Sequence, residues 1–218
     1  MAKKQVDDSI EVASPARLED IEQFIIEAGS DDLETFGGEF EGGIHCQQIP
    51  DEFAGFLFDR LISGQAINDY LEIGAAAGGT TFLINHFLKP QRIVLIDDGK
   101  HPKAALRADI LTGINRTEII GNSRDQEIVD QVEGEFDLIM VDGDHSYFGC
   151  LDDSRNYIPK LRDGGLIAFH DSVHDLLEVR RVVDILKKDD RVIFVNEYIS
   201  KTQPHPCGIA IFRKVAAE

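Results

Sequence analysis

Between residues 67 and 218, short runs rich in aliphatic and β-branched residues alternate with amphipathic stretches, and this alternation leaves few folds open. Seven runs read as strands, near Tyr70–Ile73, Arg92–Ile96, Glu118–Ile120, Phe136–Val141, Leu166–Phe169, Val192–Asn196 and Gly208–Phe212, with helices between the first six. Ile93-Val94-Leu95-Ile96 and Leu138-Ile139-Met140-Val141 are apolar without a break, as in strands covered on both faces. Strands alternating with helices build a mostly parallel sheet. The last two runs are joined by Glu197–Cys207, too short a loop for a crossover helix, so they should pair antiparallel. The expectation is a Rossmann-like, doubly wound α/β fold: a seven-stranded sheet, mostly parallel with an antiparallel last strand, and helices on both faces.

The 218 residues suffice for one domain with a full core. Residues 1–66 are expected to form an N-terminal helical cap and 67–218 the α/β core. Ser14-Pro15 makes a helix start, followed by Leu18, Ile21, Ile25 and Ala28 at helical spacing. Gly37-Gly38 and Gly42-Gly43 mark loops, and Pro50 opens a second helix with Phe53, Leu57 and Leu61 on one face. The opening residues lack the apolar core of a signal peptide, and no run approaches the ~20 apolar residues that cross a bilayer. A cytoplasmic protein is expected. Three scattered cysteines without a CxxC predict free thiols. The net charge of −18 disfavours nucleic acid and anionic membrane as partners. Fourteen acidic and three basic side chains fall within residues 1–58, a solvated face or a surface for a cationic partner. A small molecule and a homodimer formed through the helical N-terminus are the expected partners.

The first strand runs into Leu71-Glu72-Ile73-Gly74-Ala75-Ala76-Ala77-Gly78-Gly79-Thr80-Thr81. Small residues let backbone approach a ligand, and the helix that follows offers free N–H groups and the positive end of its dipole. A dinucleotide turn would carry GxGxxG, yet Ala76 holds the middle position and Glu72 precedes the turn. An acid there suits a cationic ligand. Asp97 ends the second strand, where a carboxylate can accept ribose hydroxyls, a feature shared with NAD enzymes. The segment resembles the first motif of class I S-adenosylmethionine-dependent methyltransferases. That resemblance implies S-adenosylmethionine as cofactor, with its methionine end at Glu72, Gly74, Ala76 and Gly78, its ribose at Asp97 and its adenine near Ser123.

The fourth strand delivers Asp142-Gly143-Asp144-His145-Ser146-Tyr147, and the fifth ends in His170-Asp171. Neighbouring strand tips would bring Asp142, His145, His170 and Asp171 to one rim, a mixed oxygen and nitrogen site for Mg²⁺ or Mn²⁺, or for Fe²⁺ or Zn²⁺. Taken singly, Asp142 reads as a helix cap and His170 as a rim histidine. The segment 141–171 resembles metal-dependent O-methyltransferases, a group that includes macrolide sugar O-methyltransferases and cephalosporin-hydroxylase-like proteins. The resemblance implies Asp142, His170 and Asp171 as metal ligands, Asp142 also beside the cofactor, and His145 as general base. Relatives often carry a carboxylate where His170 stands. His45, Gln47, Tyr147, His174, Tyr198 and His205 are candidates to border the acceptor, though each reads more readily as an ordinary surface or loop residue. An NAD-dependent oxidoreductase, a non-catalytic cofactor-binding protein and a metal-dependent hydroxylase remain competing readings.

Overall fold

A computed structural model describes residues 17–29 and 43–216. The expected helix start at Ser14-Pro15 and the glycines at 37, 38 and 42 lie outside the described residues. Seven strands form one sheet: β1 (Asp69–Ile73), β2 (Arg92–Asp97), β3 (Thr117–Ile120), β4 (Phe136–Val141), β5 (Leu161–His170), β6 (Val192–Tyr198) and β7 (Ile209–Lys214), in the order β3-β2-β1-β4-β5-β7-β6. The first five are parallel, and β7 inserts antiparallel between β5 and β6. The doubly wound sheet read from the sequence is therefore the one the chain forms. The strand order reverses at β1 and β4, the place in such sheets where a crevice opens beyond the carboxyl ends.

Side-chain alternation along the strands divides the interior into two layers. Leu71, Ile73, Val94, Ile96, Ile139, Val141, Ile167 and Phe169 face one side. There they meet α5 (Gln126–Gln131), α6 (Tyr147–Tyr157) and α7 (Val179–Leu186). Tyr70, Ile93, Leu95, Leu138, Met140, Leu166 and Ala168 face the other. They meet α1 (Leu18–Ala28), α2 (Pro50–Ser63), α3 (Gly79–Leu88) and the one-turn α4 (Arg107–Ile110). Pro50 occupies the first turn of α2, where its missing N–H costs nothing, and Gly64 ends that helix in the left-handed region. The three cysteines are free and buried. Among the described residues, no helix is long and apolar enough to cross a membrane.

β5 begins at Leu161, five residues before its expected start at Leu166. Its pairing with β4 jumps from Phe136↔Leu161 to Leu138↔Leu166, so the chain bulges through Gly164 (φ 77°). A glycine pair inside an apolar pattern reads as a break before a strand, and here it is a kink within one.

Gly74 ends β1 at φ 88°, and a β-carbon there would stand 2.1 Å from the carbonyl oxygen of Asp142. Gly113 shares the left-handed conformation (φ 82°) but faces open space. Gly113→Ala should therefore cost about 1 kcal/mol of backbone strain. Gly74→Ala should cost several-fold more, because the β1 and β4 ends must move apart. Equilibrium denaturation of the two variants checks this, and equal costs would contradict the close approach.

Candidate active site at the strand carboxyl ends

A cavity of about 540 Å³ lies over the carboxyl ends of the five parallel strands. That volume falls within the range of small-ligand sites. Of the residues expected to serve the cofactor, Glu72, Gly74, Ala76, Asp97, Ser123 and Asp142 line it. So do all four members of the acid–histidine group. Gly78 does not. It caps α3 at φ 89° with its bare α-carbon against Leu111 and Arg107, so its part is to pack the turn. Among the acceptor candidates, His45 and Gln47 line the cavity, whereas Tyr147, His174, Tyr198 and His205 do not.

The glycine turn is held by side chains far away in sequence. Asp97 Oδ2 accepts from the Ala76 N–H (2.8 Å), and Oδ1 accepts from the Gly99 N–H (2.7 Å) and from Arg107 Nη2 (2.8 Å). Arg107 also donates through Nε to the Ala76 carbonyl (2.9 Å), so one buried arginine ties the turn to the acid. A carboxylate has about four acceptor positions, and these bonds fill three of those on Asp97. Ala76 itself adopts φ 43°.

Glu72 alternates onto the α3 face, where its Oε2 accepts from the Tyr70 hydroxyl (2.8 Å) and from Thr81. Burial pushes its carboxyl up to about 7 despite those two donors. Ser123 donates to Asp153 Oδ1 (2.6 Å) on α6. Asp153 is fully buried, its Oδ2 has no hydrogen-bond partner, and burial pushes it up to about 7.

The acid–histidine group closes on itself. His145 Nε2 lies 3.2 Å from Asp142 Oδ1 and 2.9 Å from Asp171 Oδ2. His170 Nδ1 lies 2.9 Å and 3.2 Å from the same two oxygens. One donor atom from each of the four residues falls within 4.8 Å of all the others, a spacing that a single metal ion can bridge. Burial would lower both imidazoles, but the two carboxylates outweigh it. They push His145 up to about 9 and hold His170 well above its ordinary value. Burial would likewise raise the two acids, and the imidazoles instead hold Asp142 and Asp171 below the ordinary carboxylate range. Asp142 does not cap α6. Ser146 does, accepting from the Gly149 N–H (3.1 Å), which leaves Asp142 to the cavity.

Three contributors escaped the sequence reading. Arg107 is one and Asp153 another. The third is Gln48, buried at 1% exposure, whose Nε2 donates to Asp142 Oδ2 (2.8 Å). It belongs to residues 43–48, which cross the start of α3 so closely that a β-carbon on Gly79 would meet the Cys46 α-carbon at 2.6 Å. The neighbouring Gln47 reaches His101 beyond β2 (3.4 Å). A polar side chain in a loop without periodicity carries no sequence signal for a partner 94 residues away.

Residues 71–172 match the family described as a methyltransferase domain. Solved structures share the fold at low identity. Cofactor-bound Rv0187 from MTB superposes with a TM-score of 0.66 and 17% identity over 93% of this chain and 99% of that one. The O-methyltransferase from Bacillus cereus in complex with S-adenosylhomocysteine gives 0.62 and 18% over 93% of each chain. The N-methyltransferase NodS from Bradyrhizobium japonicum WM9 gives 0.59 and 22% over 74% of this chain and 94% of that one. No curated protein matches the sequence.

The buried Asp153 makes stability depend on pH. Its folded-state value lies above its unfolded one, so its proton stabilises the fold at low pH and this stability is lost as pH rises from about 4 through about 7. Asp153→Asn keeps an acceptor for Ser123 without the charge. The variant should be more stable than the parent at pH 8, by an amount on the order of 2 kcal/mol, and close to it at pH 5. Denaturation at both pH values checks the sign, and a difference that does not change with pH would contradict it.

Proposed function

We propose that this chain transfers the methyl group of S-adenosylmethionine to the hydroxyl of a small molecule, beside a divalent ion. One observation carries the reading: a single cavity joins the glycine turn, Asp97 and Ser123 to the cluster of Asp142, His145, His170 and Asp171. In this reading the cofactor's methionine end lies along Glu72–Ala77 at the start of α3, its ribose at Asp97 and its adenine beside Ser123. Asp142, His170 and Asp171 would hold the ion, and residues 17–29 and 43–66 cap the core. Two carboxylates and an imidazole are donors suited to a divalent cation.

Methyl transfer is an in-line displacement, so donor and acceptor must be held in register. A neutral amine attacks as it stands, whereas a hydroxyl must lose its proton. A bound divalent ion lowers the pKa of a hydroxyl that approaches it. In this reading His145, whose Nε2 borders the Asp142 and Asp171 carboxylates, receives that proton. Were Asp142 and Asp171 to hold a cation, their charge would no longer favour the protonated imidazole of His145, which would then be suited to act as a base. The net charge of −18 favours a small acceptor over RNA, although an rRNA methylase from Streptococcus thermophilus shares the fold.

S-adenosylhomocysteine at a hundredfold excess over its Kd should stabilise the protein by about 2.7 kcal/mol in thermal unfolding, and NADH should not. Labelled S-adenosylmethionine offered with a panel of phenols and sugars should yield an O-methyl product. His145→Ala should lower its turnover on the order of 10²–10⁴-fold with less than about threefold change in S-adenosylhomocysteine affinity. Stabilisation by NADH alone would support the oxidoreductase, and equal loss of binding and turnover would remove His145 from proton transfer.

A further inference from the structure

The donor atoms of the cluster speak to which ion it holds, an inference that rests on the reading above. Mg²⁺ and Ca²⁺ take oxygen ligands and leave imidazole largely unused, whereas divalent ions of the first transition series bind imidazole nitrogen well. Here two of the four converging groups offer nitrogen. His170 is 4% exposed and Asp171 7%, so neither can turn away to water without breaking the packing around it.

Each nitrogen lies 2.9–3.2 Å from both carboxylate oxygens. Neighbouring ligands at right angles around one ion, with bonds of about 2.1 Å, stand about 3.0 Å apart. The second carboxylate oxygen of Asp142 is taken by Gln48, which fixes the plane of that acid as an outer partner would. Asp171 holds its carboxylate in place with a left-handed backbone (φ 58°), an uncommon state for a residue with a side chain. Of the three proposed ligands, Asp142, His170 and Asp171, one therefore offers nitrogen, and it is the His170 imidazole that packing holds in place.

We infer that this cavity selects a first-row transition ion, such as Mn²⁺, Fe²⁺ or Co²⁺, over Mg²⁺, through nitrogen ligation by His170 with His145 beside it. The test is binding, measured by calorimetry on protein freed of metal with chelator and saturated with S-adenosylhomocysteine. Mn²⁺ should bind at least about tenfold more tightly than Mg²⁺, and Co²⁺ more tightly than Mn²⁺. His170→Asp, which turns the set toward oxygen, should shrink the Mn²⁺ to Mg²⁺ ratio several-fold. Should that variant fail to fold, pulsed electron paramagnetic resonance of the parent loaded with Mn²⁺ serves instead, and it should show coupling to a ligand ¹⁴N. Equal or tighter binding of Mg²⁺, no binding of any of the three ions, an unchanged ratio in the folded variant, or no nitrogen coupling would each overturn the inference. S-adenosylhomocysteine binding to the metal-free protein is measured alongside. Its absence would strike the methyltransferase reading itself, whereas its presence without ion selectivity would strike only this inference.

Discussion

The ends of β1 and β4 meet at one contact that admits no side chain. Gly74 donates its N–H to the Ile96 carbonyl (2.8 Å), Asp142 donates its own to Ile73 (2.8 Å), and the α-carbon of Gly74 sits against the Asp142 carbonyl. Through that contact the turn that opens α3 and the acid that begins the β4 loop share one wall. The fifth strand adds His170 and Asp171 by pairing in register with β4, and the second adds Asp97 by pairing with β1. Were the first two strand ends a few ångströms further apart, the cavity would divide into a glycine turn and an unrelated polar patch.

The polar cluster pushes against this frame as much as it benefits from it. Two carboxylates this close repel, and the two imidazoles beside them, whose charged forms they favour, offset that repulsion. Each member alone would be a costly buried charge. Such a set is stable only while every partner stays within reach, which accounts for the outer ties around it. Gln48 holds Asp142, and the carbonyl of His145 accepts from the Glu178 N–H (3.1 Å). The segment after Asp171 is pinned to β7 through Ser172 and Gly208 (3.2 Å). A cation would take over the role that the imidazolium charges play in the metal-free cluster, so the same ties would serve both states.

Much of this was legible in the sequence because it is periodic or local. Continuous apolar runs gave away strands covered on both faces, and the short Glu197–Cys207 connection betrayed the antiparallel turn-back at β6 and β7. The acid–histidine group could be assembled on paper because strand ends converge at the crevice of a doubly wound sheet. Arg107 and Gln48 were not legible, since nothing in a loop glutamine or a one-turn helix announces a partner on another strand. Nor was Asp153, whose place on the buried face of α6 looks like any acid on a polar helix. Gly78 is set apart from its motif neighbours. It matches the motif, yet its missing side chain makes room for Leu111 and leaves the cavity to its neighbours.

The part of the cavity that the core does not dictate comes from outside residues 71–172, the stretch that matches the methyltransferase domain. The parallel strands fix where a cofactor turn and a cluster of ligands can lie, and any sheet of this topology offers that crevice. His45 and Gln47 add a wall that the sheet itself does not supply. They are held over the crevice by a backbone that touches Gly79 and by the hydrogen bond from Gln48 to Asp142. The residue that orients a proposed metal ligand and those that shape the remaining space are thus consecutive in the chain. A change in residues 43–48 that altered the shape of the cavity would also disturb Asp142, so the proposed acceptor wall and the proposed ion site cannot vary independently in this fold.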